Sequence, residues 1–199
     1  SIYVGSSSAT GSLVVNSGGG LTSLSGRIGY TAGSTGFATV TGAGSQWIMS
    51  SSLYVGYTGN GNMSVQNGGL VQSGGTYFGY GIGGVGTLTI DGVNSRWTNT
   101  GALSTWVGYW GNGSLRVQNG GTAVSNTVYL GYNVPGATGT VVVDGAGSSL
   151  SSTNAIYAGY IGVGTVVIQN GGQITTSTSY LGYAAGSIGT ALVDGAGSQ

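Results

Sequence analysis

Residues 53–69 read Leu-Tyr-Val-Gly-Tyr-Thr-Gly-Asn-Gly-Asn-Met-Ser-Val-Gln-Asn-Gly-Gly. The stretch opens with an aromatic-apolar-Gly-Tyr tetrad, Tyr54-Val55-Gly56-Tyr57, which returns along the whole chain. Further copies are Tyr77-Phe78-Gly79-Tyr80, Trp106-Val107-Gly108-Tyr109, Tyr129-Leu130-Gly131-Tyr132, Tyr157-Ala158-Gly159-Tyr160 and Tyr180-Leu181-Gly182-Tyr183. Two degraded copies come first, Tyr3-Val4-Gly5-Ser6 and Arg27-Ile28-Gly29-Tyr30. The marker glycines at 5, 29, 56, 79, 108, 131, 159 and 182 are separated by 24, 27, 23, 29, 23, 28 and 23 residues. Short and long units alternate, so the true period is a pair of about 51 residues; recurrence at roughly 20–50 residues signals a stacked-repeat architecture.

Each unit holds three strand-like pieces between Gly, Asn and Asp turns. The first is the tetrad. The second follows a glycine and alternates, as in Gly86-Thr87-Leu88-Thr89-Ile90 and Gly164-Thr165-Val166-Val167-Ile168. Successive strand side chains point to opposite faces, so Met63/Val65, Leu88/Ile90, Leu115/Val117, Val141/Val143 and Val166/Ile168 form an inward set. The third piece separates the two unit types. Short units carry Asn67-Gly68-Gly69, Asn119-Gly120-Gly121 and Asn170-Gly171-Gly172; long units carry Thr41-Gly42-Ala43-Gly44-Ser45, Asp91-Gly92-Val93-Asn94-Ser95 and Asp144-Gly145-Ala146-Gly147-Ser148. The long-unit apolar residue follows at Trp47, Trp97 and Leu150. Glycine every few residues argues against helix.

Three short strands and three turns in about 23 residues describe one coil of a parallel β-helix, which buries its apolar face only by stacking on its neighbours. The expected fold is therefore all-β: a single β-solenoid over residues 1–199, about eight coils of 23–29 residues in an alternating short/long repeat. At ~4.8 Å per coil the rod is roughly 38 Å tall. The residue closing the second strand reads Asn16, Thr41, Gln66, Asp91, Gln118, Asp144, Gln169, Asp194. Alternation with Gln spaces the carboxylates two coils apart, ~9.6 Å, near the ~8–10 Å screening length of physiological salt.

Composition excludes several functions. Of 199 residues 45 are Gly, and charged residues are 3%, against roughly 25% in an average chain. The basic residues are Arg27, Arg96 and Arg116, and the acids are Asp91, Asp144 and Asp194; there is no Lys, Glu, His or Cys. No basic stripe exists for nucleic acid. Disulfides and thiolate metal sites are ruled out. Carbohydrate-cleaving chemistry needs paired carboxylates or a base, and the three acids fall in one column with no such partner. No enzyme activity, cofactor or metal site is expected. No apolar run is long enough for a membrane helix. The chain opens at Ser1 and stops inside a unit at Gln199, which reads as a segment of a longer protein. Gly79-x-Gly81-x-x-Gly84 is repeat punctuation, since no helix follows it. The sequons Asn62-Met63-Ser64 and Asn112-Gly113-Ser114 read as chance.

The pattern Tyr-Val-Gly-Tyr … Gly-x-Gly-x-Leu-x-Val-x-x-Gly-Gly, alternating with Val-Asp-Gly-Ala-Gly-Ser-x-Trp, resembles the repeat shared by autotransporter (type V secretion) passenger domains and PEP-CTERM-associated surface proteins of Gram-negative bacteria. It covers essentially the whole chain; Arg27, Ser6 and Leu150 depart from it. The resemblance implies a right-handed parallel β-helix at the extracellular or outer-membrane surface. It implies an adhesin-like passenger or stalk with no catalytic residue, its translocator barrel lying outside this segment.

The remaining functional signal is aromatic. Tyr3, Tyr54, Tyr77, Trp106, Tyr129, Tyr157 and Tyr180 share one position, opposite in parity to Val4, Ile28, Val55, Phe78, Val107, Leu130, Ala158 and Leu181. They are expected to form an outward ladder interrupted by Arg27, with the following glycine leaving space beside each ring. The ladder either stiffens the rod or forms a flat strip that docks a glycan, a host or abiotic surface, or another copy of the rod. The second tyrosines, Tyr30 to Tyr183, share core parity and are placed at a corner. Two function classes follow: a surface adhesin or stalk, and a self-assembling matrix or fibre protein, which the low charge favours. Ice binding through the row Ser12, Phe37, Asn62, Thr87, Ser114, Thr140, Thr165, Thr190 is a weaker third, because the row is irregular.

Overall fold

The computed structural model describes residues 1–199. Strands are numbered along the chain. The tetrads form β1 (Ile2–Val4), β4 (Gly26–Ile28), β7 (Ser52–Val55), β10 (Gly75–Phe78), β13 (Thr105–Val107) and β16 (Val128–Leu130). The alternating pieces form β2 (Thr10–Val15), β5 (Thr35–Thr41), β8 (Asn60–Gln66), β11 (Val85–Asp91), β14 (Asn112–Gln118), β17 (Thr138–Asp144), β19 (Val163–Gln169) and β21 (Ile188–Asp194). The third pieces form β3 (Gly20–Ser23), β6 (Gln46–Met49), β9 (Leu70–Ser73), β12 (Arg96–Asn99) and β15 (Thr122–Ser125). There is no helix. All pairings are parallel, each strand bonded to its counterpart one coil away, so eight coils stack into a β-solenoid.

Three strands per coil hold for most of the rod. Near its end, the third piece and the next tetrad run on as single strands, β18 (Ser149–Ala158) and β20 (Gln173–Leu181). The tetrad and third-piece rows consequently merge into one 13-stranded sheet, facing the eight-stranded sheet of alternating pieces. The inner side of the third corner is polar. Ser73 and Thr76 hydroxyls lie 2.8 Å apart, as do those of Thr105 and Ser125, and the buried Asn99 amide donates to the Leu103 carbonyl at 2.8 Å. These bonds satisfy hydroxyl and amide N–H groups that burial would otherwise penalise, while Asn99 Oδ1 is left without a partner.

The interior columns follow the register expected from parity. Val65 pairs with Ile90, Ile90 with Val117, Val117 with Val143 and Val143 with Ile168, all buried. Val193 continues the column but is 57% exposed, because it belongs to the last coil. The third-piece column alternates in size: Trp47 lies between Leu21 and Val71, and Trp97 between Val71 and Ala123. Large beside small lets the coils keep a constant spacing at close packing.

Glycine has a different task from the one the sequence suggested. Gly56 has φ +71°, and a Cβ there would overlap the backbone carbonyl of Val85 in the next coil. A Cβ on Gly86 would likewise overlap the carbonyl of Val55. The two glycine columns let backbone approach backbone at the tetrad corner, rather than leaving room for rings.

The two-coil period has a hydrogen-bonding basis. In the two central long-unit turns a buried serine donates to its own Asp carbonyl and accepts from a glycine N–H of the preceding short unit. Ser148 Oγ lies 2.7 Å from the Asp144 carbonyl oxygen and 3.0 Å from Gly120 N; Ser95 repeats this with Asp91 and Gly68. In return the short-unit Asn, held at positive φ, donates to the preceding long-unit carboxylate: Asn119 to Asp91 at 2.7 Å and Asn170 to Asp144 at 2.8 Å. The Asn170 bond, with help from Gln169 and the Arg116 guanidinium 2.7 Å away, holds the Asp144 carboxyl below its ordinary range.

Candidate aromatic flank

The site begins at the tetrad strands. Register carries Tyr54 to Tyr77, Trp106, Tyr129, Tyr157 and Tyr180 in one outward row. Parity points this row outward because Val55, Phe78, Val107 and Leu130 occupy the core. The rings stack along the rod: Tyr54–Tyr77 at 4.9 Å and 8°, Tyr77–Trp106 at 4.4 Å and 9°, Tyr129–Tyr157 at 4.9 Å and 12°, Tyr157–Tyr180 at 4.5 Å and 7°. Trp106–Tyr129 is wider, at 6.2 Å.

A second ladder runs beside the first, and parity alone did not find it. The marker glycine turns the chain, so the tyrosine after it leaves the core side and stands half-exposed. Tyr80–Tyr109 stack at 5.2 Å and 8°, Tyr132–Tyr160 at 4.9 Å and 21°, Tyr160–Tyr183 at 4.9 Å and 9°. Between ladders the rings meet edge to face, as Tyr54–Tyr80 does at 5.2 Å and 86° and Tyr129–Tyr160 at 5.1 Å and 85°. This herringbone is the arrangement that ring quadrupoles favour. The available clue was the repeated tyrosine directly after a glycine able to adopt positive φ.

Stacking changes what the flank offers. The rings largely cover one another's faces, so solvent meets ring edges and hydroxyls. The partnerless buried polar atoms include Trp106 Nε1 and Arg27 Nε but no phenol hydroxyl. Arg27 fills the gap between Tyr3 and Tyr54 in the first ladder. Its guanidinium lies 5.2–5.9 Å from the ring centres of Tyr3, Tyr30, Tyr54 and Tyr57 and donates to the Tyr3 hydroxyl at 2.7 Å. The cation substitutes for a ring by cation–π attraction.

Packing also alters acidity. Burial, reinforced by the phenols of Tyr54, Tyr109 and Tyr80, pushes Tyr77 up to about 12. Burial, followed by neighbouring phenols, raises Tyr57, Tyr80, Tyr129, Tyr132 and Tyr157. Unfolded chains release these protons near pH 10 while the folded rod retains them. The stabilisation is complete below about pH 10 and falls as pH rises toward about 12. Phenolate absorbance should therefore lag that of the denatured chain, with unfolding becoming easier across the same window. A titration coinciding with that of free tyrosine would contradict the packing.

The other sequence candidates lie elsewhere. The acids occupy the corner between the alternating and third strands, away from the tyrosine corner, and no three His, Cys, Asp or Glu side chains converge. The alternating-strand outward row holds its register, with Phe37 45% exposed among the threonines and serines.

No protein-family model matches the chain, and no solved structure does. Two known proteins are similar to part of it. Over 96 residues, 45% of the chain, it is 33% identical to the adhesin BmaC autotransporter of Brucella suis biovar 1 (strain 1330). Over 79 residues, 39% of the chain, it is 32% identical to the uncharacterized protein YuaQ of Escherichia coli (strain K12). The matched stretches span 3% and 5% of those proteins, so this chain is similar to a small piece of an autotransporter adhesin.

Proposed function

We propose that the chain is a stiff, non-enzymatic segment of a surface adhesin of a Gram-negative bacterium, binding a glycan multivalently along its aromatic flank. The observation that carries this reading is the double ladder, which from Tyr54 and Tyr57 to Tyr180 and Tyr183 repeats an uncharged strip of ring edges, with phenol hydroxyls in every coil. The partial similarity to an autotransporter adhesin supports it. Each coil contributes a weak increment, and the rod sums them.

The test uses Tyr129, Tyr132, Tyr157 and Tyr160, all replaced by Phe. Stacking survives, because phenylalanine keeps the ring; the hydroxyl rim is lost. Binding on a glycan array should fall about tenfold or more, at roughly 0.5–1.5 kcal/mol per lost hydrogen bond, with little change in melting. Unchanged binding would leave the ladders a structural device only.

The second reading is a fibre subunit. The outward Thr140, Val142, Thr165, Val167, Thr190 and Leu192 favour it, giving one end of the eight-stranded sheet a charge-free face. Bundles in electron micrographs, with no glycan bound by the wild type, would select it.

A further inference from the structure

One coil departs from its neighbours on this flank. After the second tyrosine other coils carry Thr31, Thr58, Gly81, Asn133, Ile161 or Ala184; the fifth carries Trp110. Its indole pairs with no ring of either ladder and is 39% exposed. Ile82, on the adjoining loop one coil away, is 75% exposed. With Thr58, Tyr80, Gly81 and Tyr109 these residues line a groove of about 500 Å³, within the usual ~300–1,000 Å³ of small-molecule sites.

The groove is held in shape. Trp110 N donates to the Gly79 carbonyl at 3.3 Å, Gly111 N to the same carbonyl at 3.0 Å, and Gly84 N to the Gly81 carbonyl at 2.9 Å. Thr58 Oγ1 is tied to the Tyr30 carbonyl at 2.9 Å, and its methyl lies beside Gly81. The Tyr80 and Tyr109 rings stack along the groove. The lining thus combines an indole face, Ile82 and a threonine methyl with two phenol hydroxyls, and no charged residue takes part.

We propose that this groove is a subsite for one neutral pyranose unit of the glycan. A pyranose has an apolar C–H face that suits the indole and a hydroxyl rim that suits the phenols. A charged sugar would lose hydration with no counter-charge in return. A fully apolar ligand would leave the phenol hydroxyls unmatched. Trp110 then serves as the anchor that orients the chain along the ladders. The subsite rests on the glycan-binding reading above.

The experiment titrates the 199-residue chain with chitohexaose, cellohexaose and hexagalacturonate while following tryptophan fluorescence. Trp47 and Trp97 are fully buried, so a sugar-dependent change reports Trp110 or Trp106. A neutral hexasaccharide should give a saturable change that Trp110→Ala weakens about tenfold and Trp110→Phe by only about threefold, with melting unaltered. Neutral-sugar binding that survives Trp110→Ala overturns the subsite. So does preference for hexagalacturonate, or a signal that follows protein concentration instead of sugar. If Trp110→Ala has no effect while the four-Phe variant loses binding, the subsite fails and the flank reading stands; the converse pattern leaves the subsite and sinks the flank.

Discussion

Replacing Trp97 by Ala should cost about 3–5 kcal/mol of unfolding free energy, the usual penalty for deleting a buried indole. Trp97 is fully buried, and its ring meets Phe78 edge to face at 6.3 Å. Its column neighbours, Val71 and Ala123, are too small to collapse into the cavity. Its Nε1 has no partner, so truncation forfeits packing alone and no hydrogen bond. Trp47, by contrast, donates to Ser23 Oγ at 3.1 Å. Leu150 holds the same place in its coil, but there Ile174 is one of its neighbours. Trp97→Leu should therefore be milder than Trp97→Ala. Guanidinium titration measures both, and a loss below about 1 kcal/mol for Trp97→Ala would contradict a close-packed column.

Val143→Asp should be comparably damaging, and its cost should depend on pH. Val143 is fully buried between Val117 and Ile168, with no cation in the column. A carboxyl placed there stays protonated well above its normal range. With the folded pKa raised, what stability the variant retains is greatest below about pH 4 and falls as pH rises through the shifted value. At pH 7 the expected loss is several kcal/mol. Val143→Asp melting as the wild type does, or stabilised by raising the pH, would place this side chain outside the core.

Much of this was legible because one residue pattern is written eight times. The marker glycines set the coils, and parity within Gly139-Thr140-Val141-Val142-Val143 assigned inside and outside correctly. The outward row from Tyr54 to Tyr180 followed from the same rule. Parity failed where strands end. Tyr80 and Tyr109 have core parity, yet positive φ at Gly79 and Gly108 redirects them into a second ladder. The purpose of Gly56 is not legible in the sequence, because steric overlap with Val85 arises between coils, which a linear sequence does not display. The serine–asparagine interlock was likewise hidden: Ser148 reaches Gly120, 28 residues away. The fusion of strands at β18 and β20 depends on how the chain passes Ser152–Ala155, where Asn154 by itself suggests a turn.

The flank's physical character was the hardest feature to foresee. Counting aromatics suggests a flat apolar strip. Stacking at 4.4–4.9 Å along the best-ordered steps hides the faces and leaves a rim of hydroxyls. On the reading proposed above, such a rim would bind a glycan by repeated weak contacts, and the Trp110 groove adds an exposed indole that stands outside both ladders. Recognition along a flank differs from recognition in a pocket in how affinity grows with ligand length.

The most direct measurement is binding of the wild-type chain to one neutral glycan as a disaccharide, a hexasaccharide and a polymer, compared at equal sugar-unit concentration. A flank that sums contacts over its coils requires affinity to rise about tenfold or more at each step. Affinity equal for disaccharide and polymer would contradict it, placing all recognition in a single pocket.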